Sequence, residues 1–143
     1  MKDISSNNID LFINIDGINE LTIYEYFAGL NNNEFMATSE LFAEQGCLNP
    51  PFEQTVCGRD AIAQYLEKEA KGIEFCPAYG EMIKSDNAFT QYQIQGKVKT
   101  NQFTVNVNWL IQLNSAKEIL LVEVKLIASL IELLNFNNSI ILL

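Results

Sequence analysis

The chain has 143 residues, 48% of them hydrophobic and 19% charged, which fits one ordinary globular domain and lies far from the composition of a disordered segment. Nine basic against 18 acidic side chains give a formal net charge of −9, a surface that repels phosphate backbones and weighs against nucleic-acid binding. Histidine is absent, so triads built on Ser-His or Cys-His are impossible and transition metals lose their commonest ligand.

No run reaches the roughly 18 apolar residues of a membrane span. The opening MKDISSNNIDLF lacks the uninterrupted apolar stretch of a signal peptide. Cys47, Cys57 and Cys76 are odd in number and carry no metal-ligand spacing. The expectation is a soluble cytoplasmic protein without a metal, with Cys47 and Cys57 as buried thiols packing as small hydrophobes. Cys76, just before Pro77 at the start of the sheet, is the cysteine placed for exposure; an inert thiol and a redox role both stay open.

Residues 1–17, rich in Asn, Ser and Asp, read as a loosely held arm ending at Gly17. A helix is expected from Ile18, with Ile23, Phe27 and Leu30 as its apolar stripe, ending in the Asn31-Asn32-Asn33 run. Asn33 is placed to cap a second helix carrying Phe35, Thr38, Leu41 and Phe42, which stops at Gly46. Pro50-Pro51 makes Leu48 to Glu53 an extended connector or edge. A third helix follows Gly58 with Ile62, Tyr65 and Leu66 and closes near Gly72. From there the period changes to two. Tyr92 to Thr100 and Phe103 to Leu113 alternate strictly, a further strand covers Ile119 to Ala128, and a short helix follows around Leu130 to Phe136. Helices first and then antiparallel strands indicate an α+β fold. No repeat or linker divides it.

Two side chains suggest a site. Trp109, the only tryptophan, shares the apolar face of its strand with Val105, Val107 and Ile111. Tyr26 lies between Ile23 and Leu30 on the helix that face would cover. Each alone most often fills core volume with its polar tip satisfied nearby. Together they offer two hydrogen-bond donors to one carbonyl oxygen of an otherwise apolar ligand.

The segments YFAGLN (residues 26–31), LFAEQGCLNPPFE (41–53), GRDAIAQYL (58–66), GKVKT (96–100), NVNW (106–109) and LIASLIELL (126–134) go further. With them the chain resembles the C-terminal domain of the cyanobacterial orange carotenoid protein, within the nuclear transport factor 2-like (NTF2-like) superfamily, and especially the stand-alone homologues of that domain. The resemblance implies an NTF2-like cone, a curved antiparallel sheet packed over N-terminal helices, spanning residues 18–136 between the arm at 1–17 and a tail at 137–143. It implies a ketocarotenoid of the canthaxanthin or echinenone type, its keto oxygen held by Tyr26 and Trp109. The apolar tunnel then falls on Ile73, Phe75, Thr100, Val107 and Leu126. The implied role is that of a carrier and singlet-oxygen quencher, not an enzyme. It would be a homodimer that takes pigment from membranes and exchanges it with helical carotenoid proteins. Cys76 is the residue that could lock such a dimer by oxidation, and the apolar SIILL tip at 139–143 reads either as a disordered tail or as a flap over the tunnel.

The chain departs from the full-length pattern in a shorter loop between Thr100 and Asn106, Gln102 in place of a tryptophan, Lys125 in place of an acidic residue and Leu130 in place of a proline. The resemblance covers no N-terminal helical domain, so light-driven domain separation is not expected of these residues alone. Two rivals remain. A ketosteroid-isomerase-like enzyme on the same fold would use Tyr26 as donor and Glu53 or Glu34 as base, and a dimerisation module would bind no ligand.

Overall fold

The computed structural model describes residues 13–127. The expected helix at 130–136, the substitution at Leu130, the tail at 137–143 and most of the N-terminal arm lie outside the described residues.

Helix α1 (Leu21–Asn31) buries Ile23, Phe27 and Leu30, the three positions of its predicted stripe, and Tyr26 beside them. It starts three residues later than the sequence suggests. The preceding segment is not loose. Ile15 is buried, Asp16 N–H donates to the Ala78 carbonyl at 3.0 Å, and Gly80 N–H donates to the Asp16 carbonyl at 2.8 Å. The Tyr24 hydroxyl donates to the Ile18 carbonyl at 2.7 Å, which fastens the same segment to α1.

Helix α2 (Phe35–Ser39) is only five residues long. Its expected continuation to Gly46 is corrected: strand β1 (Phe42–Asn49) begins there instead. Leu41 and Phe42 happen to continue a helical spacing, but Phe42 and Leu48 are buried as strand residues. Gly46 does not cap a helix. A Cβ at that position would stand 2.5 Å from the Ile119 carbonyl oxygen, so the glycine permits close approach of β1 to its neighbour. Asn33 is not a cap either. It takes the left-handed conformation, φ 57°, and Glu34 occupies the N-cap position.

After the Pro50-Pro51 turn, the two-residue β2 (Val56–Cys57) pairs back on β1. Helix α3 (Arg59–Glu69) follows Gly58 as expected, with Ile62 and Leu66 fully buried. Four strands then follow: β3 (Glu74–Ser85), β4 (Thr90–Lys99), β5 (Thr104–Leu113) and β6 (Ile119–Ile127). The sheet runs β2-β1-β6-β5-β4-β3 and is antiparallel except for the β1–β6 pair, which is parallel. Strand β3 tolerates Pro77 because it lies at the sheet edge, where a bulge falls between Pro77 and Tyr79.

Register sets the inner face in rows. Phe75 pairs with Val98 and Val98 with Val105, while Ile94 pairs with Trp109 and Trp109 with Val124. Between those rows Gly96, Val107 and Leu126 are aligned. The helices cover this face, and the core is the contact between the two layers.

The reading of Cys47 and Cys57 as buried thiols is corrected as well. They form a disulfide. They are direct partners across β1 and β2, with Cα atoms 4.1 Å apart. The Gly58 N–H to Gly46 carbonyl bond at 3.0 Å flanks them, so they occupy the closely spaced type of antiparallel pair, where side chains meet. Cys47 is half-buried and Cys57 exposed. The cysteine count therefore gives no support to a reducing compartment.

Candidate functional site

Helix α1 and strand β5 bring the two predicted donors into the same core. Tyr26 is 2% exposed and Trp109 1%. They are linked through Phe27, whose ring stands edge-on to both, with centroids 5.3 Å from Tyr26 and 4.8 Å from Trp109. Among the described residues neither the Tyr26 hydroxyl nor the Trp109 indole N–H donates a hydrogen bond. Burial pushes the Tyr26 pKa well above its ordinary value, so the hydroxyl keeps its proton and stays a donor.

The apolar positions group at one end of the inner face. Val107 is fully buried and pairs with half-buried Leu126, and Phe75 is buried in the adjoining row. Asn31 locks that end to α1: its Nδ2 donates to the Phe75 carbonyl at 2.8 Å, and Phe75 N–H donates to its Oδ1 at 2.7 Å. Ile73 lines a cavity of about 520 Å³ together with Ile13, Ala28, Asn31, Asn32, Asn33, Gly72 and Glu74. Thr100 differs from the others. Its hydroxyl donates to the Phe103 carbonyl and accepts from the N–H groups of Gln102 and Phe103, so it closes the β4–β5 turn.

Cys76 is half-buried on β3, and its thiol pKa is raised by burial and by Glu74. That lowers the thiolate fraction on which oxidation depends. The candidate bases of the enzyme rival are both exposed. Glu34 lines a small cleft beside α2, and Glu53 lines a separate cleft with Cys57 and Tyr65. Burial is the one cause acting on Tyr26, with no carboxylate among its causes. Among the described residues no cluster of three or more acidic or cysteine side chains is arranged to hold a metal ion. No helix among them is long and apolar enough to cross a membrane.

Sequence reasoning missed one member of the site: Phe27 reads as an ordinary stripe residue until the ring contact places Trp109 against it. Tyr65 of α3, read from the sequence with Ile62 and Leu66, packs against the core with its hydroxyl buried. It lines an open cleft of about 750 Å³ with Phe52, Glu53, Cys57 and Ala61.

No family model matches the chain. It is 33% identical over 128 residues to the orange carotenoid-binding protein of Synechocystis, an alignment covering 87% of this chain and 40% of that protein. The protein of the same name from Limnospira maxima is 32% identical over 127 residues, covering 86% of this chain. The chain thus spans about 40% of the length of the curated relatives it matches. Among solved structures, the Anabaena orange carotenoid protein binding canthaxanthin superposes with a TM-score of 0.77 at 36% identity, over 87% of this chain and 41% of that one. An NTF2-like protein from Cytophaga hutchinsonii superposes with a TM-score of 0.60 at 19% identity, over 74% of this chain and 87% of that one, which bears on the fold alone. Fold and sequence agree that the chain is homologous to the C-terminal domain of the orange carotenoid protein and has the NTF2-like architecture.

Proposed function

We propose that this chain binds a ketocarotenoid of the canthaxanthin or echinenone type and serves as its carrier. The observation that carries the reading is the burial of two donors, Tyr26 and Trp109, joined through Phe27 in one apolar core. The donor set suits the ligand. A keto oxygen accepts two hydrogen bonds, and a conjugated chain needs only apolar neighbours such as Phe75, Val107 and Leu126. Canthaxanthin binding by the Anabaena relative supports the same ligand class.

Tyr26 and Trp109 would orient the keto ring and polarise its carbonyl, moving the absorption of the polyene to the red. Apolar burial, at about 25 cal/mol per Å², would hold the rest. The pigment itself supplies the capacity to quench singlet oxygen. A base beside the ketone is what an isomerase would need, and the exposure of Glu34 and Glu53 favours binding over proton abstraction.

The carrier would work as a homodimer. A compact chain of this length has a radius of gyration of about 14–15 Å, so one copy sheathes only part of an extended carotenoid. Two copies meeting at their tunnel mouths would cover it with two-fold symmetry. Membranes would supply the pigment, and helical carotenoid proteins would be the exchange partners.

Coexpression with a ketocarotenoid followed by absorption spectroscopy tests the reading. An orange-to-violet protein with one pigment per two chains is the expected result. A colourless protein with turnover of a ketosteroid would overturn it in favour of the isomerase.

A further inference from the structure

Strand β2 has two residues, lies at the sheet edge and pairs with β1 at two positions, Cys47 with Cys57 and Leu48 with Val56. Around those pairs, the Thr55 hydroxyl donates to Asn49 Oδ1 at 3.0 Å and the Gly58 N–H to the Gly46 carbonyl at 3.0 Å. Within the segment they close, Phe52 takes the left-handed conformation, φ 64°, with its side chain exposed. That conformation is unfavourable for a bulky residue and persists only where the surroundings impose it. The Cys47–Cys57 bond, spanning ten positions, is the covalent part of that restraint.

The same segment is a wall. Residues 52–57 form one side of the cleft of about 750 Å³, and Ala61 and Tyr65 of α3 form the other. The width of the cleft therefore depends on where the segment sits, and the disulfide fixes its root against β1. Cys57 is exposed and Cys47 half-buried, so the bond is reached from solvent on the Cys57 side. Exposed disulfides are the ones that exchange readily. Cys76 cannot resolve the bond within the same chain, because β3 lies at the opposite edge of the six-stranded sheet from β2. The reductant must be another molecule.

We infer that Cys47–Cys57 is a reversible redox site for an external dithiol of the Cys-X-X-Cys class, whose action frees the 48–57 segment and opens the cleft over Tyr65. In the first step the attacking thiolate bonds to Cys57 Sγ, the Cys47–Cys57 bond breaks, and Cys47 leaves as a thiolate and takes up a proton. In the second, the other thiol of the reductant loses its proton and displaces Cys57 Sγ, which is protonated in turn. The reductant ends as a disulfide, and two electrons and two protons have passed to the cysteines. A monothiol adduct on Cys57 is expelled by Cys47, which lies directly across the strand pair; a dithiol completes the reaction with its own second thiol. The inference goes beyond the ketone-binding reading and does not depend on it.

The experiment uses the oxidised full chain without denaturant, incubated with thioredoxin, its reductase and NADPH, with glutathione at equal thiol concentration in parallel. Free thiols are counted by alkylation and mass. Thioredoxin should raise the count from one, Cys76, to three, and glutathione should leave it near one. Thioredoxin lacking its second cysteine should be captured on Cys57. In the reduced chain, amide hydrogen exchange over residues 52–58 should be about thirtyfold faster, as the lost closure of a loop this short implies, with β4 and β5 unchanged. Cys47→Ala/Cys57→Val should exchange at the fast rate with or without reductant. A thiol count that stays at one with thioredoxin would overturn the inference. So would capture on Cys76 alone, equal reduction by glutathione, or parental exchange over 52–58 in the reduced chain.

Discussion

The indole of Trp109 and the ring of Phe27 meet edge to face, 4.8 Å between centroids and 78° between planes. The contact joins the middle of α1 to the middle of β5, and Phe27 makes a second one with Tyr26. Each such pair adds about 0.5–1.5 kcal/mol beyond area burial. Phe27→Leu keeps an apolar residue of similar reach but loses both edges. It should lower unfolding stability by about 1–3 kcal/mol, read as a lower urea midpoint at unchanged slope.

Asn31 should matter to stability far more than a helix-terminal asparagine usually does. Both of its amide atoms pair with the Phe75 backbone, at 2.7 and 2.8 Å. Asn31→Ala would leave a partly buried N–H and C=O without partners, at about 1–3 kcal/mol each. A loss of about 2–4 kcal/mol in chemical denaturation is expected. An effect below 0.5 kcal/mol would mean that water replaces both bonds.

The helical stripe of α1, the third helix after Gly58 and the alternation of the last strands were all legible in the sequence, because each is long enough for its period to show. Phe42 to Asn49 was not. Its strand is interrupted by a register shift between Phe42 and Cys47, and a helical spacing of Phe35, Thr38, Leu41 and Phe42 runs into it. Missing that strand also hid the disulfide, since Cys47 and Cys57 become partners only when β2 folds back on β1. Tyr26 and Trp109 were singled out as two donor types facing one apolar layer, and both are buried in the core. The place of Phe27 was missed because its significance depends on what stands across from it.

The Cys47–Cys57 bond closes a loop of about ten residues around the Pro50-Pro51 turn. Chain-entropy bookkeeping for a loop that short gives roughly 2–3 kcal/mol. Replacing both cysteines by Ala and Val, or adding a dithiol reductant, should lower stability by that amount. Equal denaturation curves with and without reductant would show that the bond contributes nothing to stability.

Stability should also fall at alkaline pH. The Tyr26 pKa is raised by burial, so the folded state keeps a proton that the unfolded chain releases above the ordinary tyrosine value of about 10. The unfolded state then binds fewer protons, and stability declines as pH rises. The contribution is fully present below pH ~10 and declines above it, by about 1.4 kcal/mol per pH unit for one tyrosine. Tyr26→Phe should flatten the slope measured between pH 10 and 11.5 by about that amount.

The central claim is that Tyr26 and Trp109 hold a keto oxygen. Each hydrogen bond should contribute on the order of 1 kcal/mol to retention. The most direct measurement is the absorption spectrum of canthaxanthin bound to the Tyr26→Phe/Trp109→Phe double variant, beside the parent at matched pigment occupancy. The account predicts a blue-shifted maximum and faster pigment loss in the double variant. A spectrum and retention identical to the parent's would contradict it.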